Sequence, residues 1–258
     1  MKKIIFISGL FFLFFTQAYA GNDNWKIAKS THFIIHYKNA TEDFVKQASD
    51  KAEEDYDKIA SELGFNRFNF WLWDNRAKIY IYDSPEDYQS ATGEAAWSAG
   101  TAVVKSKVIT VFVSKPDFFN TILSHEMGHI IFREFVGFDN YALPLWLDEG
   151  VASYQEKAKY AAANLYIRKH MEEGDFMDLR QLSRFSGRAS GDDETVKLFY
   201  AEAFSIVDFL VKRFGSDSFV SFCQSLRDKK DLEQAIASAY PFKSLQALDE
   251  EWQKYLNE

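Results

Sequence analysis

Two histidines four residues apart, with a glutamate between them, carry the chemistry written into this chain: His125-Glu126-Met127-Gly128-His129. A helix turns about 100° per residue, so side chains at i and i+4 share one face. The stretch 119–135 reads as helix. His125 and His129 then offer two imidazoles to one metal ion, and Glu126 points at the edge of the same face, beside a water on that metal. Leu123, Met127, Ile130 and Ile131 make the helix buried along much of its surface. Two imidazoles and a carboxylate on a buried helix need partners, and a metal supplies them. The arrangement is that of a zinc hydrolase site.

Catalytic zinc takes three protein ligands and keeps one position open, whereas structural zinc takes four. Cys223 is the only cysteine, which excludes a thiolate-rich structural site and any internal disulfide. Phe132 and Phe135 stand where the extended H-E-x-x-H-x-x-G-x-x-H pattern has Gly and His, so that third histidine is missing. A carboxylate must serve. The best source is the segment Leu143-Pro144-Leu145-Trp146-Leu147-Asp148-Glu149-Gly150-Val151-Ala152-Ser153-Tyr154, which leads into a helix starting near Trp146. Residues 130–148 separate Glu149 from His129. They suffice to finish one helix, cross a loop through Gly137, Asp139, Asn140 and Pro144, and return antiparallel. Asp148 and Glu156 compete with Glu149 for the role.

H-E-M-G-H followed by W-L-D-E-G-V-A-S-Y resembles the gluzincin peptidases, metallopeptidases whose third ligand is the glutamate of a W-L-[N/D]-E-G segment. The likeness is strongest over residues 119–156 and extends more weakly to about Thr31 and about Phe214. It implies one Zn2+ per chain, held by His125, His129 and Glu149. Asp148, where many relatives have Asn, would stand behind these ligands. It further implies peptide-bond hydrolysis by Glu126-assisted attack of a zinc-bound water. A donor to the oxyanion is expected from the C-terminal lobe; Tyr200, in Phe199-Tyr200-Ala201-Glu202-Ala203-Phe204-Ser205, resembles the family's tyrosine. His170 reads as a surface residue. The family lays its substrate along an edge strand upstream of the metal helix, which nominates Val108, Thr110 and Phe112. No G-x-M-E-N segment precedes the helix, and Gly93-Glu94-Ala95-Ala96-Trp97 does not replace it. An endopeptidase or a narrow processing role is therefore favoured over an aminopeptidase. The rival is a catalytically inactive gluzincin-fold binding or assembly protein in the cell envelope, against which the four intact residues argue.

These residues need a scaffold. Residues 32–37 read as a strand; His32 and His36 share a face but stand about 13 Å apart, too far for one ion, and are structural. Residues 42–63 form an amphipathic helix ended by Gly64. Residues 77–82 alternate as a strand, Ser84-Pro85 starts a short helix through Tyr88, and residues 101–104 pair with 108–113 through Lys105-Ser106-Lys107. Helices follow over 157–172, 177–185, 195–214, 218–226, 232–239 and 244–256, with a polar loop at 187–193. The expectation is an α+β, zincin-like fold. Its N-terminal lobe, residues 21–136, has a small mixed sheet and the metal helix. Its helical C-terminal lobe, residues 137–258, carries the third ligand.

Lys2, Lys3, an apolar run over 4–15 and Ala18-Tyr19-Ala20 read as a bacterial signal peptide, residues 1–20, cleaved after Ala20. The run is too short for a transmembrane span, so the expectation is export to a periplasm or beyond, without stable membrane insertion after cleavage. Losing Lys2 and Lys3 takes the formal charge from −8 to −10. That acidity argues against nucleic acid and anionic membranes as partners and leaves a peptide or protein substrate. With 47% hydrophobic residues the chain can fill the core of one two-lobed domain.

Overall fold

The computed structural model describes residues 24–68, 70–94, 100–113, 121–186 and 192–258. The expected signal peptide, the first residues of the 119–135 helix, Ala95-Ala96-Trp97 and residues 187–191 of the polar loop lie outside them. The architecture is α+β, as expected. By its contacts the chain divides into two compact units, residues up to 54 with 70–123, and residues 55–69 with 124–258. The expected lobe boundary after residue 136 therefore falls inside the second unit. The His125 helix groups with the helices, not with the sheet.

The first unit is built on a five-stranded sheet in the order β1-β2-β3-β5-β4. The strands are β1 (Lys26–Lys29), β2 (Phe33–Tyr37), β3 (Ala77–Tyr82), β4 (Gly100–Val103) and β5 (Val108–Phe112). β2, β3 and β5 run parallel, with β1 and β4 antiparallel at the two edges. Strand alternation and register put Phe33, Ile35, Ala77, Ile79, Ile81, Ile109 and Val111 on one face, and all are buried. Helix α1 (Glu42–Glu62) connects β2 to β3, and α2 (Pro85–Thr92) follows β3. Ser84 starts α2, its hydroxyl accepting the Asp87 N–H, and Pro85 sits where a missing N–H costs nothing.

Three sequence expectations change here. Val108, Thr110 and Phe112 do not lie on an edge strand. Val108 pairs with Lys78 of β3 and with Val103 of β4, so the β5 backbone is engaged on both sides and the neighbouring edge belongs to β4. A hairpin read from sequence does not say which of its strands is outermost. β1 went unread because Lys-Ile-Ala-Lys carries almost no apolar alternation. His32 is just outside β2; its backbone N–H donates to Glu53 and its Nδ1 lies 2.6 Å from the same carboxylate, while His36 stacks on Tyr80.

The second unit is helical: α3 (Leu123–Val136), α4 (Leu145–Tyr154), α5 (Ala163–Glu173), α6 (Leu179–Leu182), α7 (Asp193–Lys229), α8 (Leu232–Ala239) and α9 (Leu245–Leu256). α7 is the spine against which α4, α5, α8 and α9 pack. It breaks at Gly215 (φ 81°, ψ 163°), close to where the sequence separates two helices. The helix expected over 157–172 begins only at Ala163. Residues 155–162 form tight turns instead, the N–H groups of Glu156, Lys159 and Tyr160 reaching the carbonyls of Ser153, Glu156 and Lys157.

Glu202, on α7, is fully buried. Its Oε1 accepts the Met177 N–H at 3.0 Å, and Oε2 has no hydrogen-bond partner among the described residues. Burial, reinforced by the charge of Asp249, pushes the carboxyl up to about 9. Between about pH 4.5 and 9 the folded chain thus holds a proton that the unfolded chain releases, so this group lowers stability as pH rises through that window. Glu202→Gln keeps the acceptor without the titration. Denaturant unfolding at pH 6 and pH 8.5 should show a smaller pH-dependent loss in the variant than in wild type; equal losses would mean Glu202 is ionised in the fold.

Candidate metal centre

α3 buries Leu123, Met127, Ile130, Ile131 and Phe132, and on the same helix His125, Glu126 and His129 are 5%, 3% and 1% exposed. α4 returns along it after a loop pinned by Asn140, whose amide donates to the carbonyls of Val136 and Leu226 while its oxygen accepts the Ala142 N–H. Trp146 fixes the start of α4 by donating its indole N–H to Ser183 Oγ at 3.0 Å. Two glycines let the backbones meet. A Cβ on Gly128 would lie 3.0 Å from Ala152 Cα and 3.1 Å from Gln155 Cγ; one on Gly150 would lie 2.4 Å from the Ala203 carbonyl oxygen of α7. Helices normally pack about 8–10 Å apart, and glycine contacts permit the near end of that range.

This close packing brings Glu149 to the histidines. His125 Nε2 is 3.7 Å and His129 Nε2 3.6 Å from the same oxygen, Glu149 Oε2. These distances exceed hydrogen-bond range. They are about what two ligands subtend around one ion at ~2.1 Å. His125 Nε2 and Glu149 Oε2 are buried without a hydrogen-bond partner among the described residues. Each such buried atom costs about 1–3 kcal/mol, so the trio fits a metal ion better than it fits an empty pocket. Two imidazoles and a carboxylate also match the three-ligand donor set of catalytic zinc.

Asp148 and Glu156, the competing carboxylates, stand behind the imidazoles instead. Glu156 Oε2 is 2.9 Å from His125 Nδ1, and Lys159 Nζ reaches both Glu156 oxygens at 3.2 Å. Asp148 Oδ1 is 3.3 Å from His129 Nδ1, while Arg133 donates from Nε and Nη2 to Asp148 Oδ2. The turns at 155–162 are what bring Glu156 back to His125.

The chain therefore matches a known family. A model of the Peptidase MA superfamily covers residues 73–258, well over half of the sequence. The chain belongs to that superfamily. The matched region contains α3, α4 and all three residues of the trio, with β3, β4 and β5. Among curated proteins no match is found. Peptidase MA proteins are peptidases, typically metal-dependent, which points to peptides or proteins as substrates.

The charges of this Peptidase MA site call for a cation. Glu126, Asp148, Glu149 and Glu156 are buried carboxylates, set against Arg133 and Lys159. With all four ionised, two negative charges lack a counter-charge, the charge of one divalent ion. The same charges favour protonation of the groups among them. Burial opposes a charge on His129, but the charges of Asp148 and Glu149 outweigh it and raise the imidazole well above its usual range. Burial, with Glu149 and Glu156, likewise raises the Glu126 carboxyl, against the pull of both histidines. Burial also acts to raise Asp148, but His129 and Arg133 hold it down to about 2.

Tyr200 is half-buried on α7, edge-on to Phe199, one turn before the Ala203 that meets Gly150. Tyr160, which sequence reading left inside a helix, has its hydroxyl 3.4 Å from Ser153 Oγ, one turn beyond Glu149. Burial and then the charges of Glu156 and Glu149 push its phenol up. His170 is not the surface residue expected. Its side chain is 12% exposed, packed by the Tyr166 ring and facing Glu173 and Asp175, whose carboxylates lie largely in solvent.

Titrating Zn2+ into metal-free protein should raise its unfolding temperature, a site at 100 times its Kd adding about 2.7 kcal/mol. Glu149→Ala should lose most of that rise; a full rise would put the third ligand elsewhere. Gly150→Ala should destabilise by about 1–3 kcal/mol in urea unfolding, because a methyl has to displace the α7 backbone. An unchanged midpoint would show that the helices can separate freely.

Proposed function

We propose that this chain is an exported, zinc-dependent metallopeptidase that cleaves internal peptide bonds. The observation that supports it is the convergence of His125 and His129 on one buried, unpartnered oxygen of Glu149, on a helix that also carries a buried Glu126. A zinc ion held by this trio supplies Lewis acidity, polarising a carbonyl and making water more acidic. Glu126 supplies the base. Its raised proton affinity suits it to take the proton of the water that adds to the scissile carbonyl carbon. It returns that proton to the departing amine as the C–N bond breaks. Glu156 hydrogen-bonds His125 at Nδ1 and Asp148 faces Nδ1 of His129 at 3.3 Å, leaving each Nε2 for the metal. Tyr200 is the donor to the developing oxyanion on the strength of the gluzincin resemblance and its place on the α7 turn before Ala203.

The endopeptidase reading rests on the missing G-x-M-E-N segment. Export rests on Lys2, Lys3, the apolar run over 4–15 and Ala18-Tyr19-Ala20. Among the described residues no helix is long and apolar enough to cross a membrane.

The mature chain should cleave members of a mixed peptide pool, and a chelator should stop it. Glu126→Gln should keep its zinc and lose about 10²–10⁴-fold in cleavage rate, the usual contribution of a positioned general base. Unimpaired cleavage by that variant would refute the assigned role. Zinc bound stoichiometrically by a wild type that cleaves nothing would favour the inactive binding protein instead.

A further inference from the structure

His125, His129 and Arg133 recur every fourth residue and so form one stripe along α3. The third member of that stripe grips Asp148, 2.8 Å from Nη2 and 3.0 Å from Nε, both to Oδ2. The other Asp148 oxygen faces His129 Nδ1 at 3.3 Å, an ion-pair approach without hydrogen-bond geometry. Asp148 is completely buried in the first turn of α4, and it immediately precedes Glu149 in the chain. One clamp thus acts on two ligands. It holds a carboxylate beside the His129 ring through Asp148, and it ties α3 to the turn from which Glu149 departs.

The support behind His125 is built differently. Lys159 lies three residues from Glu156 in the same run of turns, so it joins no two helices, and its side chain is 40% exposed. A solvated ammonium on a flexible stem contributes little and positions loosely. The Arg133 side chain is only 12% exposed, and its planar fork has a fixed direction.

We infer that Arg133 is a positioning residue of the metal centre, holding His129 and Glu149 in register through Asp148, with a share in metal affinity that Lys159 lacks. This rests on the metal-site reading above. The test measures metal directly. Zn2+ affinity is determined for the full mature chain by competition with a chromophoric chelator, and the visible absorption of the Co2+-substituted protein reports ligand arrangement. Arg133→Met should bind Zn2+ about 10–100-fold more weakly, the usual loss when support behind a ligand is removed, and its Co2+ bands should shift. Arg133→Lys, whose ammonium falls near the guanidinium carbon but offers a single donor group, should recover part of the affinity while remaining weaker than wild type. Lys159→Met should lose much less than Arg133→Met.

Wild-type affinity and an unchanged Co2+ spectrum in Arg133→Met would overturn the inference, as would an equal loss in Lys159→Met. Should Arg133→Met fail to fold, Arg133→Lys decides, and wild-type affinity there overturns it. A wild type that binds no Zn2+ would instead sink the metal-site reading itself.

Discussion

A carboxylate on one helix can join two imidazoles on another only if the helices almost touch. Everything else in the second unit serves that distance. Gly128 removes a side chain where α3 meets Ala152 of α4, and Gly150 removes one where α4 meets Ala203 of α7. Both glycines sit inside helices, where each costs about 1 kcal/mol relative to alanine. Packing is what makes them necessary there. The Asn140 amide bonds and the Trp146–Ser183 bond hold the returning helix at its entry, so the spacing is constrained at both its middle and its start.

Close packing gathers charge as well as ligands. The cluster around the trio buries more acid than base, an arrangement that a core avoids unless something else balances it. Asp148 and Glu149 raise the proton affinity of His129 against its burial, whereas burial first, then Glu149 and Glu156, raises that of Glu126. The same imbalance selects for a divalent cation. Stability and ligand demand are therefore linked: the buried charges that burden the fold are the ones a divalent cation would balance.

Much of this was legible in sequence because it is local. His125, Glu126 and His129 share a helix, and helical spacing alone makes them a site. The three carboxylates that matter, Asp148, Glu149 and Glu156, were all in view as candidate ligands, although their separate positions were not. Those depend on where α4 stops, and the turns at 155–162 are a tertiary outcome that the apolar pattern from Lys157 onward does not announce. Arg133 and Tyr160 were missed for a related reason: each acts through a contact that exists only once the chain has turned back, Arg133 with Asp148 on the returning helix and Tyr160 with Ser153 across the turns. In the sheet, strand identities were readable for four of the five strands. Strand order was not, since interior or edge position follows from pairing partners and not from composition, and this is why β5 reads as an edge and is not one.

The short hairpin of α3 and α4 has a further consequence. Every candidate metal donor, both carboxylates behind them and both of their cations lie between residues 125 and 159. Such a stretch closes through local contacts, which form early and carry a modest loop entropy. The candidate metal centre is thereby written in one cassette of chain, and the contacts that assemble it are the ones that fold that cassette.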